Sequence, residues 1–133
     1  MNHYPWLDEY LKSKPGTVKD FKPEWGWFRY MLCGKQFAAV CTPDPEHALH
    51  KGRTMVILKC DPQLAELYRA QFADVVPGFY CNKQHWNSVY LDGAVPEDTL
   101  RSMCDMAYDL ILHKLPKKVQ QQIADGAPAG EDA

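Results

Sequence analysis

The chain has 133 residues, 46% of them hydrophobic, and a net charge of −2. This length and composition predict one folded domain with a substantial core, and they exclude a wholly disordered chain. The longest apolar runs span about five residues, whereas a membrane-spanning helix needs about 20, so no such helix is predicted. A charge so close to neutral disfavours non-specific binding of nucleic acid by the whole surface, and any such contact therefore requires a local basic patch.

Five cysteines are spread along the chain, and no two of them form a Cys-x-x-Cys pair. An odd number leaves at least one thiol unpaired in any disulfide scheme. The pattern favours free, mostly buried thiols in a reducing compartment. The first residues also lack the basic start and apolar run of a signal peptide. We therefore expect a cytoplasmic protein.

The first half of the chain predicts a helix followed by three strands. Apolar residues repeat at helical spacing within Tyr4–Lys12. Gly34 and Lys35 form a tight-turn signal between two aromatic-rich or apolar segments. A polar loop, Thr42–Gly52, then precedes the third strand. The predicted strands are Trp25–Leu32, Gln36–Cys41 and Arg53–Lys59.

The second half predicts a helix, two strands and a long final helix. Asp61 and Pro62 mark the start of the first of these helices, because Asp caps free amides and Pro is tolerated at the first helical position. The predicted buried stripe of that helix consists of Leu64, Leu67, Tyr68 and Phe72. The predicted strands are Phe79–Cys81 and Trp86–Leu91, followed by a helix from Pro96 and a short amphipathic extension from Pro116 to Ile123.

These elements predict a two-layer α+β fold. Strands joined by short turns are antiparallel, and an antiparallel sheet needs helices on one face to bury its apolar side. We expect a five-stranded sheet in the order helix, three strands, helix, two strands, helix. Residues 1–124 should form this single domain, and residues 125–133 a disordered acidic tail.

The segment from Pro77 to Asp92, PGFYCNKQHWNSVYLD, resembles the signature of the MmcQ/YjbR family of small bacterial proteins. The segments LCGKQFA from Leu32 and LKCDP from Leu58 resemble two further family motifs in the expected order. Ala107 is a departure, since a Ser is common at that position in the family. The resemblance extends over roughly Trp6 to Val119, implies the same order of elements, and brings with it a DNA-binding label.

The residues that fit such a label lie at predicted turns and strand ends. Lysines at tight turns can reach phosphates, and His or Asn side chains can bond phosphate or base edges. Trp86 could stack on a base, but the sequence favours a buried structural anchor. The candidate nucleic-acid contacts are Lys35, Lys59, Lys83, His85 and Asn87.

No catalytic or metal-binding constellation stands out. His47 and His50 are three residues apart in a loop that holds two prolines, and no fourth ligand is evident. Cys81 and His85 could pair, but Cys81 lies in an aromatic strand, where an inert thiol is the better interpretation. We expect a protein that is not an enzyme and that needs no cofactor and no metal.

Three functions remain open at this point. The first is binding of double-stranded DNA through basic hairpin tips, which is mostly an analogy with the family. The second is a protein-interaction or chaperone-like module, because aromatic residues at Trp25, Trp27 and Phe28 must point to both sides of a strand. The third is a small-molecule-binding protein, for which no residue selects a ligand.

Overall fold

The structure is a computed structural model that describes residues 2–79 and 81–126. Within these residues the chain forms four helices and six strands. The order along the chain is α1 (Leu7–Lys12), β1 (Thr17–Lys22), β2 (Trp27–Leu32), β3 (Lys35–Cys41), β4 (Met55–Lys59), α2 (Pro62–Gln71), β5 (Val75–Pro77), β6 (Trp86–Tyr90), α3 (Glu97–Leu112) and α4 (Lys117–Ala124).

The strands form one antiparallel sheet in the order β1-β2-β3-β4-β6-β5. The predicted α+β fold with an antiparallel sheet is therefore confirmed. The predicted number of five strands is wrong, because the sheet in the described residues has six. The strand that the sequence analysis missed is β1, and the strand expected at Phe79–Cys81 lies earlier, at Val75–Pro77.

The missed strand lies at the edge of the sheet, where strands need not show an apolar face. Neither Val18 nor Phe21 is covered, and they are 60% and 50% exposed. Its charged residues give no clean alternation, which is the signal from which strands are predicted. β5 lies at the other edge of the sheet. Pro77 is tolerated there because proline has no N–H to donate to a neighbouring strand, as a central strand would require.

The turn between β2 and β3 differs by one residue from the prediction. Cys33 and Gly34 are the two turn residues, and both have positive φ angles, 52° and 76°. Two positive φ angles match the twist that a two-residue hairpin requires. The register between the strands then shifts near Tyr30, which pairs with Ala38, while Met31 pairs with Gln36. Phe37 therefore has no partner in β2, as in a β-bulge.

The helices lie on one face of the sheet, as predicted. Leu7 and Leu11 of α1 and one face of α3 pack with residues from five of the strands into the main core. The prediction for α2 is partly wrong, because Leu64 and Leu67 are exposed, at 36% and 61%. This helix packs through Ala65, Tyr68 and Phe72 instead.

The opposite face of the sheet is covered by loops. A second core cluster there brings together side chains of four strands and one loop residue, namely Trp27, Ala39, Cys41, Met55, Ile57, Phe79 and Tyr90. The long loop between β3 and β4 is fastened to this face through His50, whose Nδ1 lies 2.8 Å from the Tyr90 hydroxyl oxygen. The domain thus has two separate cores on the two sides of one sheet.

Three further expectations concern the cysteines, membrane-spanning helices and the C-terminal tail. All five cysteines are free, which confirms the prediction of unpaired thiols. In the described part of the chain, no helix has the length and apolar composition needed to cross a membrane. The tail predicted at residues 125–133 begins at the end of α4, and all of it beyond residue 126 lies outside the described residues.

Candidate functional site

Three of the predicted site residues share one end of the sheet. Lys35 begins β3 directly after the hairpin turn and is exposed. Lys59 ends β4, where it pairs with Trp86, the first residue of β6. Because β3 and β4 are antiparallel and Ala38 pairs with Leu58, Lys35 and Lys59 belong to the same end.

The C-terminal end of α3 adds further lysines at this end. The Tyr108 ring of α3 packs edge-on against Phe37 near the start of β3, with 5.5 Å between ring centroids. Burial lowers the pKa of Lys59, and the charge of nearby Lys114 lowers it further. Lys114 comes two residues after the end of α3, and Lys117 and Lys118 begin α4.

Lys83 extends this group. Its Nζ donates to the carbonyl oxygen of Gly78 at 3.3 Å. Burial raises the pKa of the neighbouring Cys81 thiol to about 11, while the charges of Lys83 and Lys59 act in the opposite direction. Cys81 is therefore close to both ammonium groups. We call six lysines together the basic end: Lys35, Lys59, Lys83, Lys114, Lys117 and Lys118.

The lysines of the basic end share the lack of an ion-pair partner. The other lysines and arginines mostly form ion pairs, as in the pairs of Lys19 with Asp8 at 2.7 Å and Arg29 with Asp20 at 2.6 Å. None of the six lysines of the basic end has an ion-pair partner among residues 2–79 and 81–126. Lys51, in the loop before β4, is likewise without one in that part of the chain. Positive charge is thus concentrated locally in a nearly neutral protein.

Trp86 is half-buried rather than fully buried. It packs against the second core cluster, which agrees with the predicted anchor role. The Nζ of Lys59 lies 5.2 Å from the centroid of its ring, so part of the indole face is taken by an internal cation. A base could stack on this ring only after the Lys59 side chain moved away.

Asn87 is placed where it cannot contact a nucleic acid. It is fully buried, and its Oδ1 accepts a 2.6 Å hydrogen bond from Nε of Arg69. Its Nδ2 donates to the carbonyl oxygen of Ala65 at 3.3 Å. Asn87 therefore joins α2 to β6, and its role is structural. His85 is exposed, and its carbonyl oxygen accepts from the Cys60 amide at 2.7 Å.

Arg69 is the important residue that the sequence analysis missed. Its guanidinium also donates to the carbonyl oxygens of Trp86, at 3.1 Å, and of Lys83. It thereby fixes the segment that carries Lys83 and His85 to α2. The available signal was the asparagine itself, because a buried amide needs hydrogen-bond partners.

The histidines of the long loop have structural contacts. The rings of His47 and His50 stack with 4.9 Å between centroids. Burial lowers the pKa of His50, and the nearby His47, Lys83 and Arg53 lower it further. In the ranges that the structure describes, no three His, Cys, Asp or Glu side chains are grouped so that they could hold a metal ion.

A second surface feature lies at the β1 edge. Phe21 and Phe28 contact each other across the two strands, with ring centroids 4.8 Å apart, and both are exposed. Trp25, in the connecting turn, is 56% exposed, whereas Trp27 is buried. Consecutive residues Trp27 and Phe28 thus point to opposite sides of β2, as predicted, whereas Trp25 lies in the turn and not in the strand where it was expected. We call the exposed set Val18, Phe21, Trp25 and Phe28 the aromatic edge.

Comparison with known proteins matches this chain to small bacterial proteins of the same fold. It is 33% identical over 112 residues to the YjbR protein of Escherichia coli K12, an alignment that covers 84% of this chain and 89% of the relative. It is 24% identical over 109 residues to the YyaQ protein of Bacillus subtilis, covering 77% of this chain and 92% of the relative. Neither name states a function.

Solved structures show the same fold. The crystal structure of the Deinococcus radiodurans protein DR2400, with a DUF419 domain, matches with a TM-score of 0.75 at 22% identity. That match covers 100% of this chain and 94% of the other. A Pseudomonas syringae protein matches with a TM-score of 0.66 at 25% identity, covering 83% of this chain and 98% of the other.

The family assignment rests on both sequence and structure. The sequence pattern of the YjbR family matches residues 12–110, which includes the sheet, α2 and most of α3. The resemblance predicted from the segment between Pro77 and Asp92 is thereby confirmed. The chain belongs to the YjbR family.

Proposed function

We propose that this protein binds the phosphate backbone of double-stranded DNA through the basic end. The observation that carries the proposal is a group of six lysines at one end of the domain, none of which has an ion-pair partner in the described residues. Local concentrations of positive charge attract polyanions even when the net charge is near zero. The candidate interface is larger than the basic hairpin tips predicted from the sequence, since the start of α4 contributes to it.

The geometry favours contacts that position the protein over contacts that read sequence. Asn87 is buried, and Lys59 covers part of the face of Trp86. Among the predicted contacts, the lysines and His85 are the groups with surface to offer, and lysine bonded to phosphate carries no sequence information. We therefore expect weak binding with little sequence preference, with a Kd of about 10⁻⁴ to 10⁻⁶ M at physiological salt.

The test is the salt dependence of binding. Anisotropy of a labelled duplex is measured at several salt concentrations for the native protein and for a triple variant, Lys35→Gln, Lys114→Gln and Lys118→Gln. These three side chains are exposed, so the fold should be unaffected. Each lost phosphate contact should lower the slope of log K against log salt by about one unit, or about three in total.

The matched control removes the same charge from ion-paired lysines. Its changes are Lys12→Gln, Lys19→Gln and Lys22→Gln, all at positions that pair with carboxylates. The control should leave the salt slope within about one unit of the native value. Equal losses in both triple variants would show a net-charge effect and remove the basic end from the interface. Native protein that binds duplex no better than an acidic control protein would end the proposal.

A second candidate function, a protein-interaction module, is favoured by the aromatic edge. Four exposed apolar side chains surround β1, and the outer backbone groups of this edge strand have no neighbouring strand within residues 2–79 and 81–126. Such an edge can accept a strand from another chain. Lys19 and Lys22 in β1 act against this, because edge lysines discourage pairing.

A second copy of this chain is the partner that purified protein can test. Sedimentation velocity from low to high micromolar concentration should show a dimer that Phe21→Ser with Phe28→Ser abolishes. The control is Leu67→Ser, which removes an exposed leucine on α2, 61% accessible. A native protein that stays monomeric throughout rejects self-association through this edge.

A further inference from the structure

We propose that a cavity on the helix-free face of the sheet is a binding site for a small organic ammonium ion. The cavity has a volume of about 490 Å³. It lies between the β1–β2 turn and the long loop that follows β3. This site is separate from the basic end and does not depend on DNA binding.

Aromatic rings form much of the cavity wall. Trp25 and Trp27 meet nearly edge to face with 5.4 Å between ring centroids, and Trp27 lies 6.4 Å from Phe79. His47 packs edge-on against Phe79 at 5.4 Å. Several rings around one space are the arrangement that attracts quaternary or alkylated ammonium groups, because each ring face carries a partial negative charge.

Two carboxylates line the cavity. They belong to Glu24 and Asp44, and no lysine or arginine of the described part of the chain is in the lining. The carboxylate of Glu24 is 3.6 Å from Nζ of Lys22 and is partly neutralised. Asp44 has no ion-pair partner among the residues described, and one of its oxygens accepts a 2.8 Å hydrogen bond from the Glu46 amide. Asp44 is therefore the carboxylate available to a bound cation.

His47 forms another part of the wall. Its Nδ1 accepts from the backbone amides of Leu49 and His50, both at 3.2 Å. These two hydrogen bonds fix the orientation of the ring beside the cavity.

The β1–β2 turn already holds one ammonium group between an aromatic ring and a carboxylate. The Nζ of Lys22 lies 5.3 Å from the centroid of the Trp25 ring while it pairs with Glu24. An indole face and a carboxylate therefore accept one cation within the chain. Lys22 takes part of the Trp25 face, so a cation from solution would meet the rest of that ring together with Trp27 and Phe79, beside Asp44.

The test compares a cation with its neutral isostere. Choline and 3,3-dimethylbutan-1-ol have nearly the same shape and differ in charge. Each is titrated into the full chain, and the indole N–H resonances of Trp25 and Trp27 are followed by NMR. Choline should saturate at millimolar concentrations and bind about tenfold more tightly than the alcohol, as a cation–π contact with partial desolvation predicts.

Two variants and a control locate the site. Asp44→Asn keeps an oxygen that can accept from the Glu46 amide but removes the charge, and Trp25→Leu removes an exposed ring. Each should weaken choline binding at least fivefold, whereas Glu46→Gln, an exposed acid outside the cavity lining, should change it less than twofold.

Three results would overturn the assignment. The first is no saturable shift with choline up to 50 mM, on the order of ten times the upper Kd expected for such a contact. The second is equal affinity for the alcohol and choline. The third is the same loss of affinity in Glu46→Gln as in Asp44→Asn. A lysine side chain of another protein has related chemistry, and tighter binding of a trimethyl-lysine peptide than of choline would identify that source.

Discussion

Arg69→Ala should destabilise the domain by about 3 kcal/mol. The guanidinium bonds the buried Oδ1 of Asn87 at 2.6 Å and two backbone carbonyl oxygens of the segment before and within β6. A hydrogen bond to a charged group contributes about 1.5–3 kcal/mol, and an unsatisfied buried acceptor costs about 1–3 kcal/mol. Alanine restores little of this, since its helix propensity exceeds that of arginine by only a few tenths of a kcal/mol, on the order of 0.2.

Urea denaturation followed by tryptophan fluorescence measures the effect. Because domains of this size have a total stability of about 5–15 kcal/mol, the urea concentration at the midpoint should fall clearly. The melting temperature should fall by about 10 °C. The control is Arg29→Ala, whose guanidinium pairs with Asp20 at a partly exposed position. Such surface pairs contribute about 0–1 kcal/mol.

A double-mutant cycle with Asn87→Ala separates the pair from its surroundings. Direct bonding between Arg69 and Asn87 predicts a coupling free energy of about 1–3 kcal/mol. Additive losses, or equal losses for Arg69→Ala and Arg29→Ala, would refute the claim that Arg69 fastens α2 to β6.

Three further predictions concern separate parts of the domain. Gly78→Ala should lower the free energy of unfolding, measured by urea denaturation, by about 1–3 kcal/mol, because an added Cβ would lie 2.6 Å from the Cβ of Trp86. An unchanged urea midpoint would contradict this close packing. Burial raises the pKa of Asp8, but hydrogen bonds from Lys19 and Tyr30 outweigh it and lower the pKa to about 2. The stabilisation by ionised Asp8 is therefore full above about pH 4 and is lost as the pH falls toward 2. Between pH 5 and pH 2.5 the unfolding free energy of the native protein should fall by about 1 kcal/mol more than that of Asp8→Asn. Burial raises the pKa of every cysteine thiol. A thiol reagent at pH 8 should therefore react slowly with the native protein, and fastest at the half-buried Cys33. Fast reaction of all five thiols without denaturant would exclude the described packing.

The sequence predicted the class of fold well because the central elements have strong patterns. Met55–Lys59 is almost entirely apolar, the long helix after Pro96 repeats apolar residues at helical spacing, and both lie where expected. The helix α2 shows the limit of this argument. Leu64 and Leu67 have the same spacing as the residues that do pack, so periodicity alone could not decide which side of the helix is buried.

The site was predicted less completely for a physical reason. Lysines at the ends of strands and helices are visible in the sequence, and the structure gathers them at one end. Asn87 was expected at the surface because asparagine is common in turns. Its burial depends on Arg69, 18 residues away, and a pairing between distant polar residues leaves no local pattern. The aromatic cavity depends in the same way on Phe79 lying near the β1–β2 turn.

The loop-covered face of the sheet has a consequence for how relatives of this fold can diverge. The helices form one core with the sheet, and a substitution there must fit many neighbours at once. The opposite core is closed by irregular chain fastened at few points, such as the bond between His50 and Tyr90. Insertions and substitutions in loops are tolerated far more readily. We therefore expect proteins that share this scaffold to keep the helical side and to acquire different binding preferences on the other.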